Sequence, residues 1–339
     1  MRLIRSRALP FALVLLASLL PASAQSEWQV LKTLPVGGAG GFDYITVDAP
    51  THRLFVPRTT HTMVIDENSG KVVADIPGQT EAHGVALVPK LGRGFITDGG
   101  GTGSVVIFDL KTYKVLGKIA TVPDSDGIIY DEGQNRILVS AGDSSALITF
   151  KPDIDPQSGK MEAPITLGGK PEFLAADGKG KVYVNLEDKD VVAVVDLQSR
   201  NVAARWPVTP GGAPVGMSID AKTHRLFVGC RKPQKLVVIS TTDGKVQGAL
   251  DIGAGVDATA VHGGHIFASC RDGSLTVAGD KAGKVEVEQV VKTRYGAKTL
   301  GVDSLTHLIY LPTAEFETTS VPRPKAKPGT FMIVVVGRK

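Results

Sequence analysis

This sequence has few cysteines, few aromatic residues and no strong excess of charge of one sign. Only two of its 339 residues are cysteine, so it is not a small scaffold held together by disulfides. Aromatic residues make up 6%, and the only two tryptophans argue against a cofactor stacked between aromatic rings. The H-E-x-x-H, G-x-S-x-G and P-loop motifs are missing as well. The sequence therefore indicates no catalytic residues, and we expect a protein without chemistry of its own.

The N-terminal segment has the pattern of a secretory signal peptide. Arg2, Arg5 and Arg7 precede an apolar run at residues 9–20, which is followed by Ala-Ser-Ala at residues 22–24. We expect residues 1–24 to be removed and the mature chain, residues 25–339, to be a single periplasmic or secreted domain. The apolar run is too short for a membrane anchor, and no other span is predicted.

Charge gives no case for a polyanionic partner. The chain has 38 Lys and Arg against 34 Asp and Glu, and three of the arginines lie in the predicted signal peptide. The mature balance is therefore 35 (38 minus 3) against 34. A nearly neutral chain does not favour nucleic acid or an anionic membrane as its partner.

An internal repeat organises the chain. Thr-His-Arg-Leu-Phe-Val at residues 51–56 returns unchanged at residues 223–228, and a looser copy begins at Thr306. A short apolar run opens each repeat, and these runs are 40, 43, 46, 43, 42 and 41 residues apart. They begin at Asp43, His83, Asp126, Glu172, Val215, Asp257 and Lys298. We call these seven residues the mouth ring.

Each repeat contains up to four strand-length runs rich in β-branched residues, separated by Gly, Asp, Asn and Ser. Seven such units predict an all-β fold, a seven-bladed β-propeller of four-stranded antiparallel blades. The last unit has only three runs, and an unassigned run that begins at Trp28 would complete it. We therefore expect the N-terminal strand to join the last blade, to close the ring and to leave a monomer.

The repeat motifs resemble those of a known family. The units Asp-x-x-Thr-His-Arg-Leu-Phe-Val at residues 48–56 and 220–228, and the turn Asp-x-x-Ser-Gly-Lys-Val at residues 66–72, are similar to YVTN-repeat propellers, which include YncE-like bacterial proteins. The resemblance covers residues 28–337, although Tyr-Val-Asn at residues 183–185 only approaches the family's tetrapeptide. The resemblance implies the fold, while such propellers serve binding, surface and enzymatic roles.

The mouth ring is the candidate ligand site. Six of its seven members are polar or ionisable although each heads an apolar run, namely Asp43, His83, Asp126, Glu172, Asp257 and Lys298. Loops on the same face carry further charges, among them Arg58, Asp98, Glu187, Arg231, Arg271 and Glu315. Because both signs are present, a cation, an anion and a peptide all remain open as ligands. The plainer interpretation is a channel mouth that is simply solvated.

Three functions follow from this arrangement. The leading hypothesis is a scaffold that binds an unknown small molecule or protein partner at the channel-mouth face. The second is a metal-dependent hydrolase, because Asp43, Asp126, Glu172 and Asp257 would resemble the carboxylates that hold a divalent cation such as Ca²⁺ in lactonase-like propellers. No other cofactor is predicted. Single-stranded nucleic-acid binding is the third and is disfavoured by the acidic mouth.

A long loop is predicted on the same face. Residues 313–329 are rich in proline and lysine and are longer than the corresponding loops of the other repeats. The loop is expected either to cover the channel or to engage an acidic partner, unless it is only an exposed insertion.

The repeated histidines and the two cysteines are interpreted as structural residues of the blades rather than as a metal site or a disulfide. His52, His224 and His307 share a turn position on the opposite face, in blades that do not all adjoin, so they are not expected to meet at one ion. Cys230 and Cys270 share a repeat position, and their side chains should point the same way and remain free thiols. Packed sheets lie about 10 Å apart, beyond the roughly 7 Å between Cα atoms that a disulfide tolerates.

Overall fold

The protein is an all-β propeller in the computed structural model, which describes residues 27–318 and 324–339. The predicted signal peptide lies outside these residues. Blades 1 and 2 consist of β2 (Thr46–Asp48), β3 (Arg53–Pro57), β4 (Thr59–Asp66), β5 (Val72–Val88), β6 (Arg93–Asp98), β7 (Ser104–Asp109) and β8 (Val115–Ala120). Blade 3 consists of β9 (Ser125–Asp131), β10 (Arg136–Ala141), β11 (Ala146–Phe150) and β12 (Ile165–Thr166). Blade 4 consists of β13 (Pro171–Ala176), β14 (Lys181–Leu186), β15 (Val191–Asp196) and β16 (Asn201–Pro207).

The second half of the chain repeats the pattern. Blade 5 consists of β17 (Pro214–Asp220), β18 (Arg225–Arg231), β19 (Gln234–Ser240) and β20 (Val246–Asp251). Blade 6 consists of β21 (Val256–His262), β22 (His265–Cys270), β23 (Ser274–Lys281) and β24 (Lys284–Lys292). Blade 7 consists of β25 (Gly301–Val302), β26 (Ile309–Thr313), β27 (Met332–Arg338) and β1 (Trp28–Pro35). Short 3₁₀ helices lie at Ala49–Thr51, Pro89–Leu91 and Glu187–Lys189. None of the helical segments in this part of the chain has the length and apolar character needed to cross a bilayer.

These strands form five four-stranded antiparallel sheets and one seven-stranded sheet. The larger sheet contains blades 1 and 2, because β5 is 17 residues long and belongs to both. Its first part pairs with β4 and its second part with β6, on either side of a change in register. The chain thus passes from the outer edge of one blade to the centre of the next without leaving strand conformation.

The N-terminal strand β1 completes blade 7, as the sequence predicts. It pairs antiparallel with β27, from Trp28 opposite Arg338 to Pro35 opposite Met332. At the inner edge, a Cβ atom added to Gly301 would lie 2.8 Å from Val47 Cγ2, so blade 7 packs directly against blade 1.

Apolar clusters fill the space between neighbouring blades. Seven such clusters are found in the described part of the chain, one at each interface of a closed ring. Side-chain alternation along a strand explains how one motif serves two interfaces. In the repeated Arg-Leu-Phe-Val, Leu54 packs towards blade 7 and Phe55 towards blade 2, and both are at most 1% exposed.

The two cysteines are buried free thiols, as predicted. Cys230 lies in the apolar cluster between blades 4 and 5, whereas Cys270 lies in the cluster between blades 5 and 6. Burial raises the pKa of each thiol to about 12, so both remain protonated and unreactive at neutral pH.

Candidate functional site

Hydrogen bonds between blades position the mouth ring. The main-chain carbonyl of five ring residues accepts a hydrogen bond from the preceding blade. These bonds run from Thr299 to Asp43, Tyr44 to His83, Thr97 to Asp126, Asn185 to Val215 and Ser269 to Lys298, at 2.5 to 3.1 Å. Thr97, Asn185 and Ser269 each occupy the fifth position of the second strand of their blade. At these five positions, a blade therefore fixes the backbone from which the next blade presents its ring side chain.

Two aromatic side chains from the positions that follow the ring residues meet each other. Tyr44 of blade 1 and Phe173 of blade 4 come from opposite sides of the propeller, and their ring centroids are 4.8 Å apart. Most other blades have Gly or Ala at this position, which follows the ring residue (Gly84, Gly127, Gly216 and Ala258). The sequence analysis does not predict Tyr44 and Phe173 as site residues, although their departure from this small-residue pattern is a signal that marks them.

On one side of the mouth, His83 lies between two carboxylates. Its Nδ1 atom is 2.9 Å from Asp43 Oδ2 and 3.6 Å from Asp126 Oδ1. Burial opposes a charge on this imidazole, but the hydrogen bond to Asp43 and the negative charge of Asp126 raise the pKa of His83 to about 9. His83 is therefore an imidazolium at neutral pH. Its Nε2 atom is buried without a hydrogen-bond partner among the described residues.

On the other side of the mouth, Asp257 is paired with two cations. Lys298 Nζ and Arg231 Nη2 each contact one oxygen of this buried carboxylate. Burial opposes ionisation, but Lys298 and Arg231 nevertheless lower the pKa of Asp257. Lys298 also lies 3.7 Å from Asp43, and Arg231 lies 3.1 Å from Glu187. The positive charges of this side are thus already balanced within the protein.

For two carboxyl groups, the nearest cations only partly balance the negative charge. Burial and the negative charges of Asp126 and Glu187 raise the pKa of Glu172 to about 8. Burial and the charge of Asp43 raise the pKa of Asp126 to about 7, although His83 opposes the shift. Lys170 Nζ stands 4.0 Å from Glu172, at the limit of an ion pair. The mouth therefore holds more carboxyl groups than its cations can stabilise as carboxylates.

The Tyr44 phenol lies among the same charges. Burial and the carboxylates of Asp126, Asp257 and Asp43 raise its pKa well above the usual range for tyrosine. The hydroxyl therefore stays protonated, as a neutral donor at the centre of the mouth.

The structure does not bring every predicted residue into this cluster. Arg58 is 1% exposed and donates to the carbonyls of Gly37, Gly40 and Gly41 at 2.7 to 3.1 Å. Its guanidinium also stacks 3.9 Å from the ring centroid of Phe331, and burial lowers its pKa to about 10. Arg58 thus anchors the segment before blade 1 rather than facing a ligand.

The remaining predicted loop charges lie in three different environments. Arg271 is half-buried, its charge acts on Asp257 and Lys298, and it forms no ion pair among the described residues. Glu315 is exposed and lies 3.5 Å from Lys327, within the long loop. Asp98 is buried and accepts from the backbone of Thr80 and Glu81, so it too holds a loop.

The four carboxylates proposed for a divalent cation do not form one cage. Asp257 is neutralised by its cations, whereas Glu172 lies next to Glu187. The set that does converge is Asp43, His83 and Asp126, whose ligand atoms lie within 4.8 Å of one another. Such a mixed nitrogen and oxygen set differs from the all-oxygen coordination that Ca²⁺ prefers.

The long loop is tied to blade 7 at its base. Phe316 bridges to Ala326, and its ring packs edge-on against Tyr295 with centroids 5.2 Å apart. Glu317 donates its backbone N–H to Lys325 O at 3.0 Å. Residues 319–323, which include two of the predicted loop's basic and proline residues, lie outside the described part of the chain.

The turn histidines lie at the other end of the blades. His52 meets Glu67, with Nδ1 2.5 Å from Oε1, whereas His307 Nδ1 lies 2.6 Å from His262 Nε2. As the repeat predicts, His52, His224 and His307 do not meet at one point. The repeat pattern does not predict the contact between His262 and His307, which lie in turns of the adjacent blades 6 and 7.

Comparison with known proteins supports the fold. No family model matches the chain, and no curated protein matches it in sequence. Among solved structures, hydrazine synthase of Kuenenia stuttgartiensis aligns with a TM-score of 0.70 and 14% identity, over 80% of this chain and 92% of the other. The β-propeller domain of Cps50 (Swd1) from Myceliophteria thermophila aligns with a TM-score of 0.70 and 10% identity, over 92% of this chain and 100% of the other. At these identities the likeness establishes the β-propeller fold alone.

Proposed function

We propose that this propeller is a binding protein that takes up the positively charged group of a small molecule at its channel mouth. The observation that carries the proposal is the pair of half-buried carboxyl groups, Glu172 and Asp126, whose raised pKa values reflect desolvation and unbalanced negative charge. Perturbed groups of this kind cluster at functional sites. A cation bound between them would replace their protons and relieve that repulsion.

The surroundings of the two carboxyls suit an organic cation. Tyr44 and Phe173 provide two aromatic rings, and an ammonium group over an aromatic face gains about 0.5 to 2 kcal/mol. The Tyr44 hydroxyl adds a neutral polar group for orientation. By contrast, Arg231 and Lys298 are already paired with Asp257, which disfavours an anion as the main ligand.

Three matched probes test the charge of the ligand. 1,4-Diaminobutane, 1,4-butanediol and succinate share a four-carbon chain but carry two positive charges, none and two negative charges. We expect only the diamine to raise the thermal unfolding midpoint at pH 6.5. The double variant Asp126→Asn/Glu172→Gln should lose this response, whereas the exposed control Glu27→Gln should keep it. A response to succinate alone, or a response to the diamine that survives the double variant, would contradict the proposal.

A divalent cation is the second candidate ligand, because Asp43, His83 and Asp126 converge. This would be the first step towards the hydrolase alternative. The ion would have to displace the proton that His83 holds up to a pH of about 9. Elemental analysis of the purified protein decides this point. A stoichiometric metal that is lost in His83→Ala would favour this candidate over the organic cation.

We further propose that the chain works outside the cytoplasm, as a monomer, and that it belongs among the YVTN-repeat, YncE-like propellers. The arginines and apolar run of residues 1–24 and the repeat motifs support these proposals. Full-length protein with an intact N-terminus that stays in the cytoplasmic fraction, or a dimer by light scattering, would contradict the first two. An alignment of homologues that lacks the repeat motif would contradict the third.

A further inference from the structure

The repeat reveals an unusual residue at the face opposite the mouth. In four blades, the residue directly after the third strand donates its backbone N–H to a carbonyl group. That carbonyl belongs to the turn between the first and second strands of the same blade. These bonds run from Glu67 to His52, Leu110 to Gly92, Leu197 to Gly180 and Thr241 to His224, at 2.8 to 3.2 Å. The four positions are therefore equivalent. Blades 2 and 4 place leucine there, whereas blade 1 places a carboxyl group that is 1% exposed.

Glu67 faces a second buried carboxyl group across the seam of the ring. Asp303 belongs to the turn after β25 in blade 7 and is 0% exposed. Its Oδ1 atom accepts the backbone N–H groups of Leu305 and Thr306 at 2.6 and 2.9 Å. The two carboxyl groups lie within hydrogen-bonding reach of each other, and the Tyr310 hydroxyl also contacts Glu67. Apart from these contacts, Asp303 Oδ2 and Glu67 Oε2 are buried without a hydrogen-bond partner among the described residues. Two facing buried carboxyl groups repel each other as carboxylates, so either a shared proton or a bound cation must lie between them.

An imidazole completes the group. One ring nitrogen of His52, one carboxylate oxygen of Glu67 and one of Asp303 lie within 4.8 Å of one another. The His52 side chain is 48% exposed, whereas that of Glu67 is 1% exposed, so an ion can enter from solvent past the imidazole. His224 occupies the same turn in blade 5, where Thr241 replaces the glutamate.

We propose that His52, Glu67 and Asp303 bind one divalent transition-metal ion, which joins blade 1 to blade 7 where the ring closes. One imidazole nitrogen and two carboxylates suit Zn²⁺ or Mn²⁺ better than the oxygen-seeking Ca²⁺ and Mg²⁺. The two carboxylates neutralise the charge of the ion, and water completes its coordination on the exposed side of His52. The ion belongs only to the closed ring, because its ligands come from blades at opposite ends of the chain.

Metal titration of the purified protein tests this site. After removal of metal with EDTA, we expect about one Zn²⁺ per chain to be retained at this site on gel filtration. At a hundredfold excess over Kd, Zn²⁺ should raise the unfolding midpoint by about 4 °C. Glu67→Leu, which installs the residue of blades 2 and 4, and His52→Ala should both abolish the rise. Asp303→Asn keeps the turn bonds through Oδ1 and should weaken binding at least about tenfold.

His224→Ala is the matched control, because it removes a histidine from the same turn in a blade without the carboxyl pair. It should keep the full response to Zn²⁺. No rise in the wild-type protein would mean that the two carboxyls share only a proton, and the proposal would be wrong. A rise that persists in Glu67→Leu and His52→Ala would place the ion elsewhere, at the mouth or between His262 and His307, and would equally overturn it.

Discussion

Glu172 shows how a single residue at the mouth links stability to pH. Its pKa is raised from 4.5 to about 8 in the folded protein, so the folded state binds a proton that the unfolded chain releases. The resulting stability is complete below the unfolded pKa and is lost as the pH rises through about 8. Asp126 acts in the same direction through about 7. His83 does so as well, from its usual 6.5 to about 9.

We predict that Glu172→Gln flattens this dependence. Glutamine is neutral at every pH, so between pH 5 and pH 9 the free energy of unfolding of the variant should gain about 4 kcal/mol relative to wild type. Urea unfolding at the two pH values measures the change, and exposed Glu27→Gln is the control. Parallel pH profiles for Glu172→Gln and wild type would show that the carboxyl is not buried in its neutral form.

Arg58 carries a prediction of the opposite kind, because its role is structural. Arg58→Ala leaves three carbonyl oxygens without their donor and removes the contact with Phe331, which should cost about 3 kcal/mol. Arg58→Lys should recover little of this, since one ammonium group cannot reach the three carbonyls in the geometry of a guanidinium. Exposed Arg294→Ala should stay within about 0.5 kcal/mol of wild type. Equal stability of Arg58→Ala and Arg294→Ala in urea unfolding would refute this role.

The orientation of individual side chains is what the sequence predicts least well. The repeat register placed Asp43, His83 and Asp126 together correctly, because equivalent positions converge at one end of a closed ring. It could not distinguish Arg58, which turns inwards to the glycine-rich segment, from Arg231, which turns to Asp257. Nor did it identify Tyr44 and Phe173, whose meeting depends on side-chain length across the channel.

At the scale of strands, the closure of blade 7 by β1 makes a prediction about connectivity. Trp28 lies opposite Arg338, so the start of β1 adjoins the end of β27. A chain that begins at residue 36 should lose cooperative unfolding or aggregate, because β27 becomes an open edge. Moving residues 27–35 behind Lys339 through an Asn-Gly turn should restore folding, because a two-residue hairpin connects the same pair of strands.

Circular dichroism and urea unfolding of the two chains measure this outcome. The rearranged chain should be within about 1 kcal/mol of wild type, a difference typical of a mild substitution. A truncated chain as stable as wild type would show that β1 does not contribute to the closed ring.

The periodicity of the apolar runs predicted most strands because each blade buries both faces of its sheet. Two elements depart from it. Strand β5 runs on through the blade boundary for 17 residues, and β12 is only two residues long. Ile154 and Met161, which precede β12, pack instead on the cluster between blades 2 and 3. Such departures depend on contacts between blades, which a strand-length pattern does not encode.

At the scale of the whole molecule, the two faces of the propeller have different chemistry. The mouth contains carboxyl groups, their cations and two aromatic rings. The opposite face carries the turn histidines and the carboxyl pair at the interface between blades 1 and 7. The same ring closure positions both sites, because residues at the two ends of the chain meet in blades 1 and 7. The repeat alone predicted this architecture, whereas the unpaired charges became visible only in three dimensions.

Proton release on binding tests the central claim, that the mouth takes up a cation in exchange for protons. Calorimetric titration of 1,4-diaminobutane at pH 6.5, in two buffers of different ionisation enthalpy, measures the number of protons released. Since Asp126 and Glu172 are largely protonated at this pH, we expect nearly two protons to leave per ligand bound, and about one fewer in Glu172→Gln. Binding without proton release, or no binding of the diamine at millimolar concentration, would contradict the account.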